Sequence, residues 1–243
     1  KRSLVNFLFI YLSIQINKIE VSVSSFIQPC HARDSTCLKL SAQNALPVVA
    51  AGIPSLGMNT LDPMVVDRVV ASQLGLNMDF NNTIVKGLRR CHVLDLSKTT
   101  ISLKCSVTLV GDYKLDGELL VVPINGEGKY KIQIRDIVVN VEFKVGERES
   151  AGERYWTVVS WTHTADVLGG VVFKFQNLFN GRKEYVNKNL TFTAEPVLQF
   201  ANTHWRDIFH EVAPPMVKAV VSRIVAETTK LFDKVPIREL ALE

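Results

Sequence analysis

The chain has 243 residues, 47% of which are hydrophobic, and a formal net charge of +4. This length allows one large domain or two small ones, and the apolar content is sufficient for a substantial core. The basic residues are scattered along the sequence and no recognition motif accompanies them, which argues against a nucleic-acid-binding protein.

The first residues have the order of a secretory signal peptide. Lys1 and Arg2 precede the apolar run LVNFLFIYLSI, and Ser22-Val23-Ser24 has the small-x-small form of a cleavage site. A membrane-spanning helix needs about 20 consecutive apolar residues, and this run is shorter. We therefore expect residues 1–24 to be a signal peptide and the remaining chain to be exported.

The first two cysteines lie in the stretch QPCHARDSTC, which allows a metal site, a redox pair or a disulfide. A single histidine and two thiols are fewer than the four ligands of a structural zinc site, and the Cys-x-x-Cys spacing of a redox pair is absent. Oxidising compartments convert paired cysteines to disulfides. We therefore expect Cys30 and Cys37 to form a disulfide.

A first helix is predicted immediately after this pair. Asp34 or Ser35 is its N-cap, and the apolar residues of TCLKLSAQNALPVVAAG recur at helical spacing. A turn containing Pro54 and Gly57 follows. A second, short helix is then predicted from Asp62-Pro63, which have the cap-then-proline order.

From Ile84 to about Leu178 the hydrophobic period is mostly two, which predicts a long antiparallel meander. Asn125-Gly126 and Gly128 in PINGEGKY predict a hairpin turn. The segments VGERESAGERY and ADVLGG predict two more loops. In the last strand, Val171, Phe173 and Phe175 alternate with polar residues and predict one apolar face.

The second pair of cysteines flanks a turn predicted near Lys98. A hairpin there brings Cys91 and Cys105 close together, whereas a one-residue shift of register puts His92 opposite Cys105. A second disulfide and a pair of free thiols are both compatible with this pattern.

The C-terminal third predicts one long amphipathic helix. Apolar residues recur every three or four positions between Trp205 and Leu231, after a cap at Asn202 or Thr203. Pro214-Pro215 predict a kink within it. This helix can cover the apolar face of the sheet.

The sequence contains no convincing catalytic or metal-binding pattern. Ser55 in GIPSLG does not fit the Gly-x-Ser-x-Gly nucleophile motif, and HEVAP lacks the second histidine of a zinc-protease helix. His204 and His210 lie on different sides of the predicted helix. We therefore expect no catalytic residues, no metal and no cofactor, and hence a protein that is not an enzyme.

Two sequons are compatible with an exported glycoprotein. Asn81 lies in NNT and Asn189 in NLT. Because such triplets are frequent by chance, they predict possible glycosylation sites and no more.

Several segments together resemble the insect takeout / juvenile hormone-binding protein family. They are the Cys30 and Cys37 pair, GIPSLGMNTLDPM, GDYKLDGELLVVPINGEGKYKIQI, FQNLFNG, NTHWRDIFHEVAPPM and FDKVP, in the order that this family has them. The resemblance implies an α+β fold in which a highly curved antiparallel sheet wraps a long C-terminal helix, with residues 25–243 as a single domain. This is the tubular lipid-binding architecture shared with bactericidal/permeability-increasing-type proteins.

The resemblance also implies function. It indicates a carrier, secreted into haemolymph or another extracellular fluid, of a small hydrophobic ligand such as a juvenile hormone-like terpenoid or a fatty acid. The family's first disulfide matches Cys30–Cys37. Two features depart from the family: the pair Cys91 and Cys105, and the segment VNKNLTFTAEPVLQF, which is longer than the corresponding segment of the family.

The predicted ligand site is a tunnel between the sheet and the C-terminal helix. The candidate lining residues are Ile132, Ile134, Tyr155, Trp161, Val171, Phe173, Phe175, Trp205, Phe209, Val212, Met216 and Val220. The alternatives are a secreted interaction protein with a filled core and a lipid-transfer module that docks on membranes. The expected partners are the hydrophobic ligand and an unidentified receptor, without nucleic acid and without stable insertion into a membrane.

Overall fold

The computed structural model describes residues 25–119, 122–181, 185–187 and 190–242. In these ranges no helix combines the length and apolar character needed to cross a membrane. The predicted signal peptide and Asn189 lie outside them.

The fold consists of one large antiparallel sheet, two small two-stranded pairings and a C-terminal set of helices. The elements are β1 Cys30–His31, α1 Ser35–Ala51, β2 Met64–Gln73, β3 Leu76–Lys86, β4 His92–Leu96, β5 Thr100–Leu119, β6 Val122–Ser150, β7 Glu153–Phe175, β8 Tyr185–Asn187, β9 Leu190–Phe192, α2 Ala194–Thr203, α3 Trp205–Val212, α4 Pro214–Lys234, α5 Ile237–Leu240 and β10 Ala241–Leu242. Short 3-10 turns occupy Pro54–Leu56, Leu88–Arg90 and Phe179–Gly181.

The large sheet curves around helix α4. Its strand order is β2-β3-β5-β6-β7, and β4 pairs with β5. Helix α4 contacts both β2 and β7, which are the two ends of this order, so the sheet must bend to bring both edges to one helix. Register shifts at Cys105/Val107 and at Arg135/Ile137 interrupt the two long ladders. Such β-bulges bend strands and increase their twist.

The sheet begins earlier in the chain than predicted. Asp62-Pro63 do not start a helix; they precede the edge strand β2, and β3 follows it directly. The prediction of a short helix was therefore wrong. Strand β2 contains Val65, Val66, Val69 and Val70, and β-branched residues of this kind favour the extended backbone.

Two of the three predicted turns lie inside strands. Asn125 and Gly126 belong to β6, where they pair with Asp116 and Leu115 of β5. Glycine in this region allows two backbone segments to approach each other closely and does not form a turn. A Cβ atom on Gly128 would lie 2.6 Å from the carbonyl oxygen of Gln176. The ADVLGG segment likewise lies within β7.

The third predicted loop is a hairpin, as expected, but its turn is much shorter. Ser150 pairs with Glu153, so only Ala151-Gly152 connect β6 to β7. Both turn residues have positive φ, at 52° and 78°, which is the requirement of a two-residue hairpin turn whose twist matches the strands.

The C-terminal part forms four helices, and two of them, α3 and α4, occupy the span predicted as one. The predicted break at Pro214-Pro215 is present, since α4 begins at Pro214. The predicted start is wrong, because Asn202 and Thr203 are the last residues of α2 and do not cap α3. The side chain of Asn202 instead bonds the backbone of Phe173 in β7.

The expected Cys30–Cys37 disulfide is present, and so is the Cys91–Cys105 disulfide that the sequence left open. Cys30–Cys37 joins β1 to the first turn of α1, where the Asp34 side chain accepts a hydrogen bond from the backbone N–H of Cys37 at 2.9 Å. Cys91–Cys105 joins the segment before β4 to β5. The β4–β5 register, with His92 opposite Lys104, places the two cysteines opposite each other.

Candidate functional site

The largest apolar cluster lies between the inner face of the sheet and helices α3 and α4. Four predicted lining residues are buried members of it: Ile134, Val171, Phe173 and Phe209. Their period-two spacing in β6 and β7 puts the three sheet residues on one face. These four side chains fix the helices to the sheet.

A second group of predicted residues packs against this cluster without being fully buried. Its members are Ile132, Phe175, Trp205, Val212, Met216 and Val220. Trp161 lies in an adjoining cluster around Val141, Val221 and Val225. Val217 of α4 contacts both clusters, so the two form one continuous apolar layer along the helix.

Tyr155 is placed differently from the other eleven candidates. Its ring lies under the guanidinium of Arg148, at 4.5 Å from the ring centroid, and it belongs to none of the apolar clusters of the described residues. The inward aromatic residue at this position is its neighbour Trp156, whose ring packs edge-on against Phe232 of α4 at 5.7 Å.

Three aromatic residues that the sequence prediction did not include, Phe80, Tyr113 and Tyr130, join the predicted Phe175 to β3 and β5. The ring centroids of Phe80 and Tyr130 lie 5.0 Å apart, those of Tyr113 and Phe175 lie 4.7 Å apart, and those of Tyr130 and Phe175 lie 6.0 Å apart. Tyr130 could have been found from the sequence, since it precedes Ile132 by two residues and so shares its face.

The tyrosine hydroxyl groups of this aromatic group are bonded inside the protein. The hydroxyl of Tyr130 lies 2.7 Å from that of Thr83, and both residues are buried. The Tyr113 hydroxyl donates to the carbonyl oxygen of Gln176 at 2.8 Å. Gly111 makes room for the first pair, because a Cβ atom there would lie 3.0 Å from the Tyr130 ring.

The inner layer contains buried hydroxyl groups, and its two buried tyrosines are uncharged. Burial raises the pKa of Tyr113 and that of Tyr130 to about 12, so both phenols are neutral at physiological pH. The Thr83 and Tyr130 hydroxyls have two hydrogens between them and share one hydrogen bond, which leaves one donor for another acceptor.

Glu227 is the one fully buried charged side chain of the described residues, and Asn59 and Lys230 bond it.

The residues considered for catalysis do not form a reactive arrangement. Ser55 lies exposed in the 3-10 turn Pro54–Leu56, and His210 lies 3.5 Å from Asp166 on the protein surface. Within the described ranges, no group of three or more His, Cys, Asp or Glu side chains is arranged to hold a metal ion.

Comparison with solved structures supports the fold directly. The crystal structure of Epiphyas postvittana Takeout 1 superposes with a TM-score of 0.82 at 27% sequence identity, covering 89% of this chain and 100% of that one. This confirms the predicted α+β fold with a curved sheet and C-terminal helices.

Sequence comparison identifies relatives of similar length. The circadian clock-controlled protein daywake of Drosophila melanogaster is 23% identical over 232 residues, covering 88% of this chain and 86% of that protein. A putative beta-carotene-binding protein of Schistocerca gregaria is 26% identical over 106 residues, which are 40% of this chain and 42% of that protein. The model of the haemolymph juvenile hormone binding protein family matches residues 7–242, and the chain therefore belongs to this family.

Proposed function

We propose that the protein is a secreted, non-catalytic carrier that holds a small hydrophobic ligand between the curved sheet and helices α3 and α4. The observation that carries this proposal is the group of half-buried apolar side chains on the inner layer. In a filled core, side chains at the centre of a sheet–helix interface are closely packed and excluded from solvent. Residual accessibility of a continuous apolar surface favours a ligand that completes the packing.

The proposed lining consists of the less buried members of the inner layer. These residues are Ile132, Trp161, Phe175, Trp205, Val212, Met216 and Val220. The four buried candidates lie beside them in the same layer and attach the helices to the sheet.

The chemistry of this lining favours a mostly apolar ligand with at most a small polar group. Removing apolar surface from water contributes about 25 cal/mol per Å², so a ligand that buries a few hundred Å² can reach micromolar affinity or better after the costs of association. The spare hydrogen of the Thr83 and Tyr130 pair can donate to an ester, epoxide or carboxyl oxygen. A juvenile hormone-like terpenoid, a fatty acid or a related lipid fits this description.

Three observations support secretion. They are the order of residues 1–24, the two disulfides, and the haemolymph location in the family's description. Glycosylation at Asn81 would displace the hydrogen bond that its amide donates to Asp79 at 2.8 Å, and it stays a prediction together with that at Asn189.

Native mass spectrometry of the secreted protein tests the proposal, followed by extraction and identification of the small molecules that co-purify. We expect an added mass that corresponds to a terpenoid, fatty acid or similar lipid. A protein mass without ligand that no panel of apolar compounds changes would contradict the proposal and would indicate a filled core.

A further inference from the structure

The outer face of the large sheet pairs its charges across neighbouring strands over much of its area. Lys129 of β6 lies opposite Asp112 of β5, and their charged atoms are 2.5 Å apart. Lys114 lies opposite Glu127, with 3.9 Å between the charged atoms. Opposite charges at such positions stabilise a sheet, whereas like charges destabilise it.

One cross-strand pair breaks this pattern. Lys131 of β6 lies directly opposite Lys174 of β7, and both side chains are exposed. Neither lysine forms an ion pair with any residue of the described ranges. Directly opposite residues have Cβ atoms about 5 Å apart, so the two ammonium groups repel each other in the isolated protein.

This lysine pair belongs to a larger basic surface, which we call the basic face. Its Lys and Arg side chains are Lys86, Arg90, Lys104, Lys131, Arg135 and Lys174, and His92 lies among them. Arg90, His92 and Lys104 line a cleft of about 200 Å³. Outward residues along a strand are about 6.8 Å apart and strands about 4.8 Å, so the basic face measures about 20 by 15 Å.

Few carboxylates balance the basic face. Asp136 lies 3.8 Å from Lys104 in the cleft, and Asp166 lies opposite Val138 and 3.5 Å from His210. Asp95 lies opposite Ser102 on the same face, so in the described ranges six Lys and Arg side chains face three carboxylates, a formal excess of three.

Apolar side chains are interleaved with these cations. Val110, Val138 and Val172 are half-buried on the same outer face, and Leu168 of β7 is 60% exposed. An acidic protein partner needs fixed, matched geometry and favours arginine, whereas mobile lysines with apolar neighbours suit a diffuse anionic layer with an apolar boundary.

We propose that the basic face is a docking surface for a membrane that contains anionic phospholipids. The cations adsorb to the phosphate and carboxylate head groups and Leu168 enters the interface, without insertion of the chain into the bilayer. Anionic lipid compensates the repulsion between Lys131 and Lys174. This proposal concerns the outside of the sheet, so it holds or fails independently of the ligand proposed for the inside.

Vesicle co-sedimentation of the purified protein tests this surface. The vesicles contain phosphatidylcholine alone, or phosphatidylcholine with about one third phosphatidylserine. We expect binding to the anionic vesicles only, weakening with added salt. The double variant K131Q/K174Q should bind roughly 30-fold more weakly, because each lysine near an anionic surface contributes about a factor of five.

The matched control is K114Q/K129Q, which removes two lysines from the same face of the sheet but from ion pairs with acidic partners. We expect it to bind like the wild type. The variant K131Q/K174Q should melt at the wild-type temperature or slightly above, since repulsion is removed. Equal binding of both variants, binding without dependence on phosphatidylserine, or binding to heparin but not to vesicles would overturn the proposal.

Discussion

Glu227 is a buried carboxylate that connects helix α4 to the turn before β2. It accepts hydrogen bonds from the backbone N–H of Asn59 at 2.7 Å, from the Asn59 side chain at 3.1 Å and from Lys230 at 2.7 Å. Burial alone would raise the pKa of Glu227, but the bonds from Lys230 and Asn59 outweigh it and hold this pKa below its ordinary value. We expect Glu227→Gln to lower the free energy of unfolding by about 2–3 kcal/mol at neutral pH.

The effect of this substitution should depend on pH. Since the folded pKa of Glu227 lies below the unfolded value of about 4.3, the ionised carboxylate stabilises the fold fully above pH ~4.3. This stabilisation is lost as the pH falls through the folded pKa. Urea unfolding at pH 7 and at pH 3 should therefore show a smaller difference between wild type and variant at the lower pH. The exposed Asp233→Asn on the same helix is the control, and an equal loss in both variants would contradict this role.

The side chain of Asn202 forms the backbone hydrogen bonds that a neighbouring strand would otherwise make at the edge of β7. Its carboxamide oxygen accepts from the N–H of Phe173 at 2.7 Å, and its amide donates to the Phe173 carbonyl at 3.1 Å. Asn202→Ala leaves both backbone groups unpaired, and we expect it to cost about 1–3 kcal/mol.

Amide hydrogen exchange at Phe173 checks this prediction locally, since exchange should accelerate in the variant. Thr203→Ala removes a bond within α2 only, to the Gln199 carbonyl, and should leave exchange at Phe173 unchanged. Unchanged exchange in Asn202→Ala would show that the edge is held by other contacts.

At the level of elements, alternation of apolar residues predicted the sheet but not the ends of its strands. Long strands that bend at bulges contain glycines at positive φ, such as Gly126 and Gly170, and local sequence cannot distinguish these from turns. Glycine is required at position 128 because the backbone of Gln176 packs against it. Gln176 is distant in sequence, so local sequence cannot reveal this contact. The start of the sheet was missed because the cap-then-proline signal of Asp62-Pro63 conflicts with the β-branched residues that follow.

The Cys91–Cys105 disulfide is expected to stabilise the β4–β5 hairpin, on which α1 packs. Closing a loop of 14 residues reduces the entropy of the unfolded chain by an amount worth about 3 kcal/mol. We expect C91A/C105A to lose about this free energy in urea unfolding. The Cys30–Cys37 disulfide closes a shorter loop, of separation 7, so C30A/C37A should lose slightly less free energy of unfolding. Unchanged unfolding of C91A/C105A would mean that packing around the hairpin suffices without the bond.

At the scale of the whole molecule, the inner layer and the basic face differ in how far the sequence could predict them. The spacing of apolar residues in the strands and helices predicted which side chains face the inner layer. Eleven of the twelve candidate residues lie in it. Which members are half-buried depends on the separation of sheet and helix, and no local pattern encodes that distance. The basic face was not predicted, because Lys86, Lys104, Lys131 and Lys174 are scattered in sequence and only the strand register brings them together.

A substitution that fills the proposed cavity distinguishes a carrier from a protein with a solid core. Val217 is half-buried and contacts both apolar clusters, whereas Val225, on the same helix, is 6% exposed within the second cluster. If the space beside Val217 is open, Val217→Trp should occupy it, melt near the wild-type temperature and lose the stabilisation that an apolar ligand gives the wild type. A ligand at 100 times its dissociation constant stabilises by about 2.7 kcal/mol, which a thermal-shift measurement resolves.

Val225→Trp should overpack a closed site and cost about 1–3 kcal/mol. If Val217→Trp is destabilised as strongly as Val225→Trp, the core is filled at both positions; if it keeps the ligand-induced shift, the ligand binds elsewhere.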